Sequence, residues 1–235
     1  MLLLYFQATL GGHFLLSKKY KHFMKGIERA DSLTWTPQKT LGAGLQCCVF
    51  IMKFKDDLLT KCLASKAIYL FQSDKLYDVS YDRGDKSIQC GKSIDSFKLW
   101  LMFKARGMSE LENSVNRAFD ASKSFQQKLL QKQGFRLVIP EFQYMNTCFW
   151  YIPEKMRGKP ENEEWWKLIS DVSRKIKEQM QTTGKLTLSY NSLPQRNVVN
   201  FLRLPIKCFP PMKDEVLDFI IENVENFGEF VHKNL

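Results

Sequence analysis

The sequence predicts an α/β chain followed by a small α+β domain, and three observations carry that reading. First, short apolar runs of strand length alternate with helical stretches through the first half. Second, the order beyond residue 134 is strand, strand, helix, strand, strand, helix, which argues for a small α+β domain packed on the earlier one. Third, 235 residues with 44% apolar and 13% aromatic content are ample for a packed core, which excludes a disordered chain.

Each element has its own local reason. The start, "MLLLYFQATLGGHF", lacks a positive first segment and its apolar run is too short for a secretory signal, so it reads as a buried strand entering a Gly-Gly turn. "AGLQCCVFIMK" is a continuous apolar run that suits a strand covered on both faces. "DDLLTKCLASKAIYLF" reads as a helix and an extension, and "QSDKLYDVSYDRGDKSIQCGKS" as a long polar loop, a length more often functional than idle. "SIDSFKLWLMFKARG" is a helix with apolar groups almost all round, so burial is expected, with a stop at Gly107.

Ser109 and Glu112 have capping-box spacing for the next helix. That helix sets Leu111, Val115, Phe119, Phe125 and Leu129 on one stripe until Gly134, and it bridges two domains, 1–108 and 109–235. "FRLVIP" and "TCFWYIP" then read as strands. "EEWWKLISDVSRKIKEQM" reads as an amphipathic helix with Trp165, Leu168, Ile169, Val172 and Ile176 inward. "GKLTLSY" and "NVVNFLRLPI" are strands again, and "KDEVLDFIIENVENFGEF" is a closing helix.

Composition narrows the function. The balance of 35 Lys+Arg against 25 Asp+Glu gives a net charge of +10, which attracts anions of any size. The densest run, "SKKYKHFMKG" at 17–26, has no nucleic-acid reader motif beside it, and elsewhere the charges interleave as on a solvated face, so no nucleic-acid partner is expected. The six cysteines have no metal-ligand spacing and read as buried thiols in a reducing compartment, and the three histidines do not converge with them, so no metal site is expected. No apolar run reaches membrane-spanning length, and the expectation is a cytoplasmic protein without a membrane partner.

Three residues stand out chemically. Lys39 follows Pro37 and precedes Leu41-Gly42-Ala43-Gly44, which offers no counter-charge. It is either a surface lysine just past a turn or an amine in an apolar pocket, where lost hydration would lower its pKa and free it for a Schiff base. Tyr77, in the long loop, is either an anchor for that loop or a general acid that acts when a lid closes. Arg203 interrupts the apolar strand "NFLRLPI" and needs an anion beside it, from the protein or from a substrate.

Taken together, "SKKYKHFMKGIERADSLTWTPQKTLGAGLQCC", "YLFQSDKLYDVSYDRGDKSIQCGKSIDSFKLWLMFKARG", "NTCFWYIPEKMRGK" and "VNFLR" closely resemble the pyridoxal-phosphate-dependent decarboxylases of acidic amino acids (glutamate, cysteine sulfinate and aspartate), in order and spacing, from about residue 5 to the end. The resemblance implies the fold type I architecture: the C-terminal part of the large cofactor-binding domain plus the small C-terminal domain. It also implies pyridoxal 5'-phosphate as cofactor and Lys39 as the Schiff-base lysine. Tyr77 becomes the loop tyrosine that returns a proton after carbon dioxide leaves, reaching across a dimer interface, and Arg203 the arginine that holds the substrate carboxylate.

The departures are specific. Gln7 stands where the family has the aspartate that keeps the pyridine nitrogen protonated, and Leu10 where it has a Trp. An amide can hydrogen-bond that nitrogen but cannot stabilise its charge, so the electron sink weakens. Thr36 replaces an Asn near the cofactor phosphate, and Gln38 the His beside the lysine. About as much chain again precedes this point in the family, including the phosphate-binding segment, so an N-terminally truncated chain with an exposed sheet edge is expected. The leading expectation is α-decarboxylation of a small acidic amino acid. The alternative is an inactive paralogue that acts as a dimerisation or regulatory partner, pairing with itself or with an intact relative.

Overall fold

A computed structural model describes residues 3–53, 58–69, 71–72, 74–82, 84–88 and 94–233, and it divides into two compact units, Met1–Val115 and Asn116–Leu235. Cys90 and parts of the long polar loop lie outside the described residues.

In the first unit, β1 (Tyr5–Gln7) runs parallel to β2 (Ser32–Trp35), with Gln7 opposite Thr34. One helical turn, α1 (Pro37–Thr40), follows, with Pro37 at its first position, where the missing N–H costs nothing. Strand β3 (Val49–Met52) then pairs antiparallel with β2, giving the order β1-β2-β3. A short helix, α2 (Leu58–Leu63), and the long helix α3 (Asp95–Gln131) complete the unit, and α3 continues into the second one.

Four expectations are corrected here. Strand β1 is exposed along its length rather than buried, and β3 is a four-residue edge with Phe50 and Ile51 exposed rather than a strand covered on both faces. The first part of α3 also leaves Phe97, Trp100 and Leu101 about half exposed. An apolar pattern reports which faces need cover, and these faces have none within the unit. The expected capping box does not form either: the Ser109 side chain makes no hydrogen bond with the described residues, and the Glu112 carboxylate accepts the Lys18 backbone N–H at 2.8 Å. The stop expected at Gly107 is found: there φ +70° and ψ 161° leave the helical region, and α3 is two helical stretches joined across a kink.

His13 is fully buried, its ring 4.8 Å from that of Phe14. Burial lowers its pKa to about 4, with a weaker opposing contribution from a hydrogen bond to the Leu10 backbone. The unfolded chain therefore binds the extra proton first, and stability is lost as pH falls from 6.5 towards 4. Urea unfolding at pH 5 is expected to show about 2 kcal/mol less stability from this residue than at neutral pH. The substitution His13→Leu is expected to remove that part of the pH dependence; an unchanged pH dependence would assign it elsewhere.

In the second unit, β4 (Phe135–Leu137), β5 (Asn146–Tyr151), α4 (Glu163–Thr183), β6 (Ser189–Leu193), β7 (Val198–Pro205) and α5 (Asp214–Lys233) follow in the predicted order. The four strands form an antiparallel sheet, β4-β5-β7-β6. Asn162 starts α4 by accepting the Trp165 N–H at 2.8 Å, a cap worth about 1 kcal/mol. Trp165 and Ile169 pack with Trp150, Ile152, Met156 and Phe201, and Val172 and Ile176 are also buried, while Leu168 is 39% exposed, contrary to expectation. The stripe Leu111, Val115, Phe119, Phe125 and Leu129 is buried as the spacing predicts.

Candidate functional site

Parallel strands β1 and β2 end side by side, and the chain places its candidate residues just past their carboxyl ends: Gln7 closes β1, and Thr36 to Lys39 follow β2. That end of a parallel pair is where α/β folds bind ligands, because the loops there are free to vary while the strands hold their bases rigid. Thr36 is buried, its Oγ1 3.7 Å from the Cys48 Sγ. The Gln38 Oε1 accepts the Cys47 backbone N–H, so this side chain is committed to pinning the 45–48 loop. Gln7 is exposed.

Lys39 is exposed too, and its ammonium makes no hydrogen bond or ion pair with the described residues. The apolar lodging considered from the sequence does not occur within this unit. In so short a turn the buried positions are taken by Pro37 and Thr40, and the apolar Leu41 and Ala43 that follow are buried as well. Two cations that the sequence did not single out fix this segment: Arg106 donates to the Leu41 carbonyl at 2.8 Å, and Lys98 to the Gln46 carbonyl at 2.6 Å. Both are far away in sequence, on α3, and the apolar surroundings of Lys98 were their only signal.

The thiols divide by position. Cys47 and Cys208 are buried, Cys148 is partly buried, and Cys48 and Cys62 are exposed, which corrects the expectation of uniformly buried cysteines. Burial pushes the Cys208 thiol up to about 12 and raises that of Cys47.

Tyr77 is 55% exposed and donates to the Asp82 carboxylate at 3.1 Å, which also pairs with Lys75 at 2.7 Å. The Lys75 hydrogen bond lowers the Asp82 pKa, and the same bond raises that of Lys75. The tyrosine is thus tied into its own loop. Arg203 belongs to the second unit, in the middle of β7. Its Nε is buried without a hydrogen-bond partner, and no carboxylate of the described residues forms an ion pair with it. The structure therefore gathers Gln7, Thr36, Gln38 and Lys39 at one strand end and holds Tyr77 and Arg203 on separate supports.

The arrangement suits an aldehyde-bearing cofactor at one end. A free, exposed primary amine on a rigid turn can condense with an aldehyde, and Gln7 on the neighbouring strand can offer an amide to a ring nitrogen. Among the described residues, no helix is long and apolar enough to cross a membrane.

Comparison with known proteins agrees. The family described as the pyridoxal-dependent decarboxylase conserved domain matches residues 2–152. Acidic amino acid decarboxylase GADL1 of Mus musculus is 45% identical over 225 residues, covering 96% of this chain and 40% of the relative. Cysteine sulfinic acid decarboxylase of Mus musculus is 40% identical over 223 residues, covering 94% of this chain and 44% of the relative. The crystal structure of mouse CSAD superposes with a TM-score of 0.86 at 37% identity, over 97% of this chain and 46% of that one. The chain thus spans less than half the length of these relatives.

Proposed function

Because the chain belongs to the pyridoxal-dependent decarboxylase family, we propose that it carries the lysine-bearing half of a site for α-decarboxylation of a small acidic amino acid, with pyridoxal 5'-phosphate held through Lys39. The observation that carries this reading is the free Lys39 amine just past the carboxyl end of β2, with Gln7 at the end of the parallel strand beside it. When bound, the cofactor supplies an electron sink for the bond that breaks. The chain's own residues would do the rest. Lys39 supplies the amine that holds and releases the cofactor; Gln7 hydrogen-bonds its ring nitrogen; the Thr36 hydroxyl and the Gln38-pinned loop shape the wall; Arg203 seats a substrate carboxylate; and the Tyr77 phenol returns a proton to the α-carbon. GADL1 and cysteine sulfinic acid decarboxylase are named for acidic substrates, which supports the substrate class.

The test is to add pyridoxal phosphate to the purified chain, reduce with borohydride and map the adduct. A single adduct on Lys39 supports the reading. An adduct spread over many surface lysines, or none, overturns it for this chain.

A second reading has its own observation. Leu4, Tyr5 and Phe6 on and beside the edge strand β1, with Phe50 and Ile51 on β3, are exposed together on one small sheet. Such a surface suits a dimerisation partner, a second copy or an intact relative. Co-expression with a full-length decarboxylase is expected to yield a co-purifying complex on this reading, and failure to associate counts against it.

A further inference from the structure

Arg203 is not alone on its face of the sheet. Its register partners are Cys148 on β5 and Ser189 on β6, so the three side chains form a row across adjacent strands with the guanidinium in the middle. The neighbours on the same face one pleat away are Asn146 and Trp150 on β5, Phe201 and Pro205 on β7, and Asn191 on β6. None is acidic. The Arg203 Nε lacks a partner, and so does the buried Oδ1 of Asn146. A cation in this setting, flanked by a thiol and a hydroxyl and in an ion pair with no carboxylate of the described residues, can take its counter-charge from a ligand.

We infer that Cys148 completes the anion subsite of Arg203: a small carboxylate seated on the guanidinium lies against the Cys148 thiol, so this position discriminates charged ligands from neutral ones of equal size. The inference rests on the reading of Arg203 as the carboxylate anchor and adds a residue to it. Cys148 is only partly buried, and it borders a cavity of about 180 Å³ with Gln126, Glu141, Tyr144 and Asn146, a cavity that Arg203 does not line. Its weak bond to the Asn146 carbonyl, 3.9 Å long, is easily given up. Burial raises the Cys148 pKa, and the charge of Arg203 opposes that rise.

The experiment compares iodoacetate with iodoacetamide on the whole chain, reading each cysteine by peptide mass spectrometry. In both reactions the thiolate sulfur bonds to the reagent's CH2 as the carbon–iodine bond breaks, iodide leaves with the electron pair, and the thiol proton goes to solvent. The two reagents differ in charge and hardly in size, so their rate ratio at one cysteine cancels its thiolate fraction. At Cys148 the iodoacetate-to-iodoacetamide ratio is expected to exceed that at exposed Cys62 by about tenfold, the scale of one charge-assisted hydrogen bond. Acetate in excess is expected to slow the reaction of iodoacetate at Cys148, Arg203→Gln to bring the ratio to that of Cys62, and Arg203→Lys to keep part of it.

An ordinary ratio in the native chain overturns the inference, as does no reaction at all. A preference for the amide also overturns it and would place Glu141 in control of the approach. Phenylglyoxal modification of Arg203, with and without acetate, separates the two levels. Protection of Arg203 with an ordinary Cys148 ratio removes Cys148 and leaves the anchor standing; no protection and an ordinary ratio remove both.

Discussion

Lys39→Ala is expected to abolish the borohydride-trapped cofactor adduct proposed for this lysine and to leave the chain as stable as before. Both halves of this expectation come from the same geometry. The ammonium is exposed and pairs with nothing among the described residues, so truncating it removes no packing and no hydrogen bond. Surface substitutions of this kind stay within about 0.5 kcal/mol. The turn itself is held by others: Pro37 at its start, Arg106 on the Leu41 carbonyl, Lys98 on the Gln46 carbonyl and Gln38 on the Cys47 N–H. On the proposed reading the chemical effect is expected to be total, because the covalent link needs an amine at that place. Lys39→Arg sharpens the test: it keeps the charge and most of the length but presents a guanidinium, which does not condense under these conditions. Urea unfolding of each variant beside the trapping assay separates the two effects. A trapped adduct that persists in Lys39→Ala would move the covalent site to another lysine.

How much of this was legible in the sequence depends on whether the signal is local. The second unit's order of elements was legible on paper, although the strand read at 184–190 lies at Ser189–Leu193 instead. Helix α4 carries a clean stripe of Trp165, Ile169, Val172 and Ile176, and Trp165 and Ile169 pack on Trp150, Ile152, Met156 and Phe201 of the same unit, so pattern and environment coincide. The first unit was legible in composition and misread in burial. "YFQ", "VFIM" and the Phe97–Trp100–Leu101 face are apolar, and periodicity cannot say whether anything lies against them. Leu168 fails for a related reason, since it sits at the margin of its stripe and stays partly exposed.

The site was legible only as a family pattern. Periodicity left Lys39 between a surface lysine and a pocket lysine, and the structure gives the exposed position. For Arg203 the expectation was an anion beside a guanidinium inside an apolar strand; the structure shows its Nε without a hydrogen-bond partner and no ion pair with a described carboxylate. What no local reading could reach was the support behind the turn. Lys98 and Arg106 act across more than fifty residues of sequence, and the partner of each is a backbone carbonyl, which leaves no trace in residue type.

Gly228→Ala is expected to destabilise the second unit by about 3 kcal/mol, the upper range for overpacking a close-fitted core. Gly228 lies within α5, where alanine would ordinarily be the better helix former by about 1 kcal/mol. Packing reverses that preference. A methyl group at this position would come within 2.1 Å of the Tyr151 Cδ1 and 2.4 Å of its Cε1. The ring cannot step aside. It is fully buried, stands 5.1 Å from Phe135 in an edge-on contact, and is tied at its far end, where the hydroxyl donates to Glu229 at 2.6 Å and accepts from Arg157 at 3.2 Å. The Glu229 carboxylate also accepts the Glu154 backbone N–H at 2.9 Å, so moving the ring disturbs the turn after β5 as well. Burial is the largest cause holding the Tyr151 phenol protonated far above its usual range, and the Glu229 carboxylate adds to it, so the donor in this network does not titrate away at ordinary pH. The comparison that isolates the clash is Gly228→Ala in a Tyr151→Leu background, where the ring is gone. There the alanine is expected to cost little or to stabilise. Equal losses in both backgrounds would show that the helix backbone, and not the ring, sets the requirement for glycine.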